Sequence, residues 1–523
     1  MTPINQGHDR FYRDLREGKS IPYAQAEDNV MRYISTRGGD YSVESAYAIK
    51  QGLASDGGLF MPEYIPKIDL EFVEEMTSLS YSERAARVLS LFLSDFSYNE
   101  ILEDASAAYT SYGFDGFPAP IKDLGNNISM LELWHGPTSA FKDMALQIMP
   151  KLFSRAMKKC NEKRKAIILV ATSGDTGKAA LEGYKNVDGV AVKVFYPTDG
   201  VSAMQKRQMQ TQDGDNLSVS GIYGNFDDAQ SAVKEIFAGE EYAGELNTRG
   251  FFLSSANSIN FGRLAPQIAY YFSAYADMYK NGLISLGEKI DVTVPTGNFG
   301  NIFAAYIAKE MGLPIDKLIC ASNENDVLTE FFKTGRYNRI RPFHTTTSPS
   351  MDILISSNLE RLLYLMLGAK RCKELMLRLS IDGEYTLNED EALKIHEHFI
   401  GYSTSQDEGA AIMRQTFEEK KYLIDTHTAV ALSAAMRYMN DYKAENRMLV
   451  VSTATPYKFA RDTLSCVFGV AADDESAVRA LERLSGVEIP LPIRELYEKP
   501  LIHTDIIEKE QIWQSALAFV EEL

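Results

Sequence analysis

The stretch 165-KAIILVATSGDTGKAALEGYKN-186 passes from an apolar, β-branched segment, through a loop with two glycines, into a segment with helical spacing. A strand buried on both faces of a parallel sheet reads as a continuous apolar run, and Ile167 to Val170 form one. The same texture returns in VAVKVFYPT followed by AMQKRQMQT, and in KIDVTVPTGN followed by IFAAYIAKEMG. Strands alternating with helices predict βαβ units, a mainly parallel sheet and right-handed crossovers, so the expected fold class is α/β.

Two of the strand-to-helix junctions are unusual: Thr172-Ser173-Gly174-Asp175-Thr176-Gly177 and Pro295-Thr296-Gly297-Asn298-Phe299-Gly300-Asn301. Glycine lets the backbone turn with its N–H groups free at a helix start, where the helix dipole favours an anion. In an open parallel sheet such loops lie at the carboxyl ends of strands, where ligands bind. A single loop of this kind is ordinarily just a short connection. Two in one region point to a ligand with two anionic ends, or to a phosphorylated cofactor and an anionic substrate. The nucleotide pattern GxxxxGK[ST] does not fit, because Gly174 and Gly177 are separated by only two residues and Ala179 follows Lys178 where a hydroxyl should hold Mg²⁺. Neither GxGxxG nor GxSxG occurs, and the HEH at 396–398 lacks the histidine spacing of a zinc protease.

The totals narrow the classes further. A chain of 523 residues predicts about three domains or an enlarged two-lobed enzyme. The balance of 54 Lys+Arg against 72 Asp+Glu, a net charge of −18, disfavours nonspecific binding to nucleic acid or anionic lipid. Cys160, Cys320, Cys372 and Cys466 lie far apart with no CxxC and no Cys/His cluster. That argues against a disulfide framework or a metal site and fits a reducing cytoplasm. No apolar run reaches the ~18–20 residues of a membrane span, and no secretory signal opens the chain. The expected organisation is a flexible extension over 1–30, an N-terminal module with helical spacing over 31–118, an α/β core over 119–470 and a charged helical segment over 471–523.

Within 131-LELWHGPTSAFKDMALQI-148, Lys142 sits in an apolar and aromatic setting that favours the neutral amine, the form that attacks carbonyl groups. A helix and a strand separate it from the first glycine loop. Pyridoxal phosphate requires such a lysine for its aldehyde, a helix N-terminus for its phosphate and a partner for its ring nitrogen.

The chain resembles the threonine synthase family, in its longer form with an extra N-terminal module, within the fold type II pyridoxal-phosphate enzymes. Matching blocks keep their order over about residues 31 to 465: YISTRGG, GLASDGGLFMP, HGPTSAFKD, ATSGDTG, VSAMQKRQMQT, NSINFGRLAPQIAYYF, PTGNFGNIFAAYIAK, SPSMDILISSNLERLLY, DTHTAV and STATPYKF. The resemblance implies a two-lobed parallel-sheet core with pyridoxal 5'-phosphate bound to Lys142 as a Schiff base. It implies a phosphate cradle of Gly297, Asn298, Phe299, Gly300 and Asn301, and a Thr453 hydroxyl facing the ring nitrogen. The implied substrate is O-phospho-L-homoserine, converted with water to L-threonine and phosphate by γ-elimination and β-hydration. Ser173, Asp175 and Thr176 would meet its amino-acid carboxylate region, and Asn257, Ser258 and Arg263 its phosphate.

Two departures stand out. Thr455 occupies a position where the family pattern leads one to expect histidine, and the 1–30 extension has no counterpart. A serine or threonine dehydratase of the same fold type would share the lysine and glycine loop but has no need of NSINFGR. A non-catalytic phosphate or amino-acid binder would have no need of Lys142. His135 and Asp143 receive no role, and the oligomeric state stays open between monomer and homodimer.

Overall fold

In the computed structural model, the described residues are 30–523 apart from 40, 111–112, 115, 173, 199–200 and 225. The expected extension, except for Val30, therefore lies outside the described residues, as does Ser173.

The strands in chain order are β1 (Tyr33–Ser35), β2 (Phe60–Pro62), β3 (Ile121–Gly125), β4 (Ile128–Glu132), β5 (Lys165–Ala171), β6 (Val190–Pro197), β7 (Leu217–Tyr223) and β8 (Phe251–Ser254). There follow β9 (Ile290–Pro295), β10 (Ile315–Ser322), β11 (Arg336–Asn338), β12 (Glu384–Thr386), β13 (Phe399–Ser403), β14 (Arg447–Ser452) and β15 (Ile506–Glu508). Two sheets organise the core: one of order β13-β10-β9-β14-β4-β3 and one of order β15-β7-β6-β5-β8. The second is parallel throughout. The first is parallel except for the β3–β4 hairpin. Its turn holds Asn126 and Asn127 at positive φ, a backbone that asparagine tolerates and that matches the twist of a tight hairpin. The smaller sheet takes four of its strands, β5 to β8, from the chain between β4 and β9, and the apolar runs read as strands are largely buried in the two sheets, with every residue of β6 buried.

The chain after residue 470 departs from the helical expectation. Besides its helices it supplies β15, which pairs in parallel with β7 at the edge of the smaller sheet. Its last helix, Ile512–Glu521, buries Ile512, Ala516, Phe519 and Val520 against Ile167, Leu169 and Phe195. At three residues β15 is too short to show a period of two, so only its pairing reveals it.

The N-terminal module contributes the β1–β2 pair and helices Ser45–Gln51, Leu70–Glu75, Tyr81–Ser90 and Tyr98–Ala108. Ser80 with Glu83, and Ser97 with Glu100, form capping boxes that fix two of these helix starts. The module docks through two adjacent residues of the helix Leu359–Leu367. Glu360 accepts a fork from Arg37 at 2.9 and 2.9 Å and a bond from the Thr36 hydroxyl at 2.6 Å. Arg361 is fully buried and donates to three main-chain carbonyls: Phe60 on β2 (3.3 Å), Ser258 (3.1 Å) and Ile259 (2.6 Å). Burial pushes the Arg361 guanidinium down to about 9, although the charge of Glu360 opposes this. Arg84 adds a tie to Ser273 and Asp277 on the long, almost wholly buried helix Phe261–Lys280.

Replacing Arg361 by Met strands three buried carbonyls, so Arg361→Met is expected to lower the unfolding free energy by about 3 kcal/mol in a urea titration.

Candidate active site

Both glycine loops sit at carboxyl ends of parallel strands, one per lobe: the first follows β5 and the second follows β9. In the first, the Thr172 hydroxyl accepts from the N–H groups of Gly174 and Gly177, each at 3.0 Å, which closes the turn before the helix Asp175–Tyr184. Gly174 has φ +145°, and a Cβ there would lie 2.4 Å from the side-chain carbon of Gln205. Glycine is needed on both counts. Lys178, the lysine of the superficial nucleotide pattern, pairs along its own helix with Glu182 at 2.9 Å.

In the second loop Phe299 takes the left-handed conformation, φ 63°, immediately before the helix Gly300–Met311. A Cβ on Gly297 would come within 2.6 Å of the Ser350 carbonyl. The Asn298 carbonyl accepts from both the backbone and the side chain of Asn358, and the same side chain reaches Ser258 Oγ at 3.1 Å. Asn301 is buried, and its Oδ1 accepts from Tyr270 (2.6 Å) and Tyr271 (2.5 Å). Among the described residues its Nδ2 has no partner, an orphan donor at a helix start.

Lys142 is buried at the start of the short helix Asp143–Leu146, with its Nζ 5.5 Å from the Phe141 ring centre. Burial pushes its amine down to about 8; the nearby Arg263 and Lys458 charges act in the same direction, and Asp175 opposes them. Asp175 Oδ2 lies 3.5 Å from Lys142 Nζ. The same carboxylate accepts from Ser350 Oγ (3.0 Å) and Gln205 Nε2 (2.7 Å) and pairs with Lys458 at 3.0 Å. Burial disfavours the charged carboxylate, but the two lysines outweigh it and hold Asp175 well below the usual carboxylate range.

Thr453 is buried beside Lys142, its carbonyl accepting from Phe141 N at 2.8 Å. Arg263 lies in the first turn of the helix Phe261–Lys280, whose Asn260 cap accepts from Gly262 N at 2.9 Å. Its guanidinium is buried and donates to the Ala256 carbonyl at 2.9 Å; with no carboxylate bonded to it among the described residues, burial pushes it down to about 10. Asn257 and Ser258 are half-buried just upstream, and Ser258 Cβ would be 3.6 Å from a Cβ on Gly300. The substrate-loop candidates and the cradle are therefore neighbours. Thr176 is half-buried near the start of its helix.

The two unassigned polar residues of the Lys142 loop acquire structural parts. Asp143 accepts from the Thr138 N–H (2.8 Å) and hydroxyl (2.7 Å), which folds the loop back on itself. Burial pushes its carboxyl up to about 6 against those bonds. A Cβ on Gly136 would stand 2.5 Å from Asp143 Cβ, so the close return demands glycine. His135 pairs with Glu132 at 2.8 Å and stacks on Trp134.

Sequence reading passed over Lys458, Gln205, Ser350 and His427. His427 accepts the Ser350 N–H at 3.1 Å through Nε2, while its Nδ1 faces Asp425 at 2.8 Å. All four lie inside quoted blocks, but nothing local marks them: Gln205, Ser350 and Lys458 meet at Asp175 across 30, 175 and 283 positions, and His427 meets Ser350 across 77.

The class of protein follows from comparison. A family profile described as "Pyridoxal-phosphate dependent enzyme" matches residues 117–454, and one described as "Threonine synthase N terminus" matches residues 32–109. "Threonine synthase" of Pseudomonas aeruginosa is 38% identical over 82% of this chain and 89% of its own length. "Threonine synthase-like 1" of Pongo abelii is 40% identical over 82% of this chain and 59% of its own. This chain thus spans less than two thirds of the length of that threonine synthase-like relative. The crystal structure of PLP-bound threonine synthase from Brucella melitensis superposes with a TM-score of 0.83 at 34% identity, covering 94% of this chain and 99% of that one. The chain belongs to the threonine synthase family. Pyridoxal 5'-phosphate is its cofactor, and the buried Lys142 amine, the left-handed turn into the helix Gly300–Met311 and the orphan Asn301 amide fit that group.

Gly174→Ala should cost at least about 2 kcal/mol, since the new Cβ meets both a forbidding φ and the Gln205 side chain. Gly409→Ala, at a buried helix position where nothing described lies within 4 Å of the new Cβ, should gain up to ~1 kcal/mol. Thermal melts of the two variants compare them directly.

Proposed function

We propose that this chain is a threonine synthase, converting O-phospho-L-homoserine and water to L-threonine and phosphate. The observation that carries the reading is the pairing of a buried lysine whose amine is pushed down to about 8 with a buried arginine that, among the described residues, has no carboxylate bonded to it. A buried cation without a counterion is costly, and an anionic ligand at Arg263 would offset that cost.

In this reading Lys142 holds the cofactor aldehyde, the loop from Gly297 to Asn301 holds its phosphate, and the Thr453 hydroxyl faces the ring nitrogen. When bound, pyridoxal phosphate supplies an electron sink for the charge left when the substrate's α-proton departs. Lys142 Nζ takes that proton and returns one later, a task suited to an amine that is neutral for much of the time near pH 8. Arg263 supplies a charged fork for the substrate phosphate, with Asn257 and Ser258 beside it. Ser173 and Thr176 offer donors to the amino-acid carboxylate. Asp175 is already engaged by four protein side chains, which favours a part in orienting that loop over direct contact with substrate.

Residues 31–118 serve as a docking module, 119–470 as the catalytic core and 471–523 as the segment that completes the smaller lobe. The four free cysteines, and the absence of any described helix long and apolar enough to cross a membrane, support a place in the cytoplasm.

Purified protein with pyridoxal phosphate should show a visible absorption band and release phosphate from O-phospho-L-homoserine. Lys142→Ala should abolish both. Turnover of phosphoserine or serine instead would transfer the chain to another lyase class. Arg263→Met should raise KM for phosphohomoserine on the order of 100-fold, the loss of a charge-assisted contact of roughly 2–3 kcal/mol.

Because only the neutral amine attacks an aldehyde, cofactor capture by the apoprotein should quicken about tenfold per pH unit below pH 8 and level off above it. Stopped-flow absorbance across that range measures this.

A further inference from the structure

Lys458, in the turn Pro456–Phe459 after β14, has a fully buried side chain. Its Nζ lies 2.8 Å from the Thr138 carbonyl and 3.0 Å from Asp175 Oδ1. Gln205 donates to the same oxygen at 2.7 Å, and Ser350 donates to Oδ2 at 3.0 Å. Lys142 reaches the carboxylate only at 3.5 Å, the longest of the four contacts. A carboxylate has about four acceptor positions, so three tighter partners leave Lys142 the weakest claim on it.

We propose that Lys458 is a positioning residue: by anchoring Asp175 Oδ1 it stops the carboxylate from closing onto Lys142, and so keeps the Lys142 amine available as nucleophile and base. The charges facing Lys142 come from three elements: Asp175 on its helix, Arg263 on the long helix and Lys458 on the turn. Asp143, within the Lys142 loop, faces Thr138, Lys458 and Glu182. Two of the cations around Lys142 discourage its protonation and one carboxylate encourages it. Taking away Lys458 removes a repulsion and frees the carboxylate at the same time, and both effects make Lys142 hold its proton more tightly.

The inference rests on Lys142 being the reactive amine but not on the substrate. The test is the pH dependence of reductive methylation at Lys142 in the full chain stripped of cofactor, followed by mass spectrometry. The wild-type midpoint is expected near pH 8. Lys458→Met should move it up by more than one unit, a more than tenfold slower labelling at pH 7. An unchanged midpoint in a folded variant overturns the proposal. Because Lys458→Met leaves a buried carboxylate short of a cation, Lys458→Met/Asp175→Asn is measured beside it, with neither charge present. Its midpoint should stay at or below the wild-type value, and a rise there overturns the proposal as well. Phosphate release from phosphohomoserine is followed on the same wild-type protein. A normal labelling profile without turnover would sink the proposed function and leave the part of Lys458 intact.

Discussion

The Asp175 carboxylate is the point on which the two lobes agree. It belongs to the smaller lobe, at the start of the helix after β5, and Gln205 from the same lobe holds one of its oxygens. Its other partners come from three separate segments: Lys142 from the stretch between β4 and β5, Ser350 from that between β11 and β12, and Lys458 from the turn after β14. A buried charge must be compensated where it lies, so these segments can occupy only the arrangement that brings two ammonium groups and a hydroxyl to one carboxylate. Ser350 extends the tie: its hydroxyl donates to Asp175, its carbonyl crowds Gly297 of the second glycine loop, and its N–H donates to His427. The first loop, the second loop and Lys142 are thereby held in one frame.

A second constraint secures the N-terminal module. Glu360 faces outward to Arg37 and Thr36, while its neighbour Arg361 faces inward to carbonyls of β2 and of the segment around Ser258. The module is therefore one residue removed from the loop that precedes Arg263. Through Arg361, β2 is part of the wall that fixes Ser258 and Ile259, just before the long helix. At the far end, the chain after residue 470 fastens the smaller lobe. Arg207, two residues beyond Gln205 on one helix, donates to the carbonyls of Leu496 and Tyr497.

The electrostatics of the site follow from these constraints. Beside Lys142, Lys458 and Arg263 stand Asp175 and, against Lys458, Asp143, so the pocket keeps an excess of positive charge while the chain as a whole carries −18. An anionic ligand is repelled by the mean field and captured by the local one. The same excess, with burial, lowers the proton affinity of Lys142 into the range where a base operates near neutral pH.

Much of this was legible in the chain itself. The continuous apolar runs of β5, β6 and β9 announced a parallel sheet, because strands covered on both faces leave no room for alternation. The glycines at 174 and 297 marked places where a Cβ does not fit, and an apolar, aromatic setting marked Lys142. Such signals are local: they depend on a residue and its near neighbours in sequence. Lys458, Ser350 and Gln205 carried no comparable mark, since a lysine, a serine and a glutamine are ordinarily surface residues. The tertiary structure alone decided their part, by burying them around a carboxylate up to 283 positions away. It likewise decided that Ile506–Glu508 is a strand, because three residues have no period and gain their hydrogen bonds only from β7. Composition and spacing determined which elements form and where the two glycine turns open onto helix starts. The compensation of a buried charge, which needs partners from distant segments at one point in space, was settled only by folding.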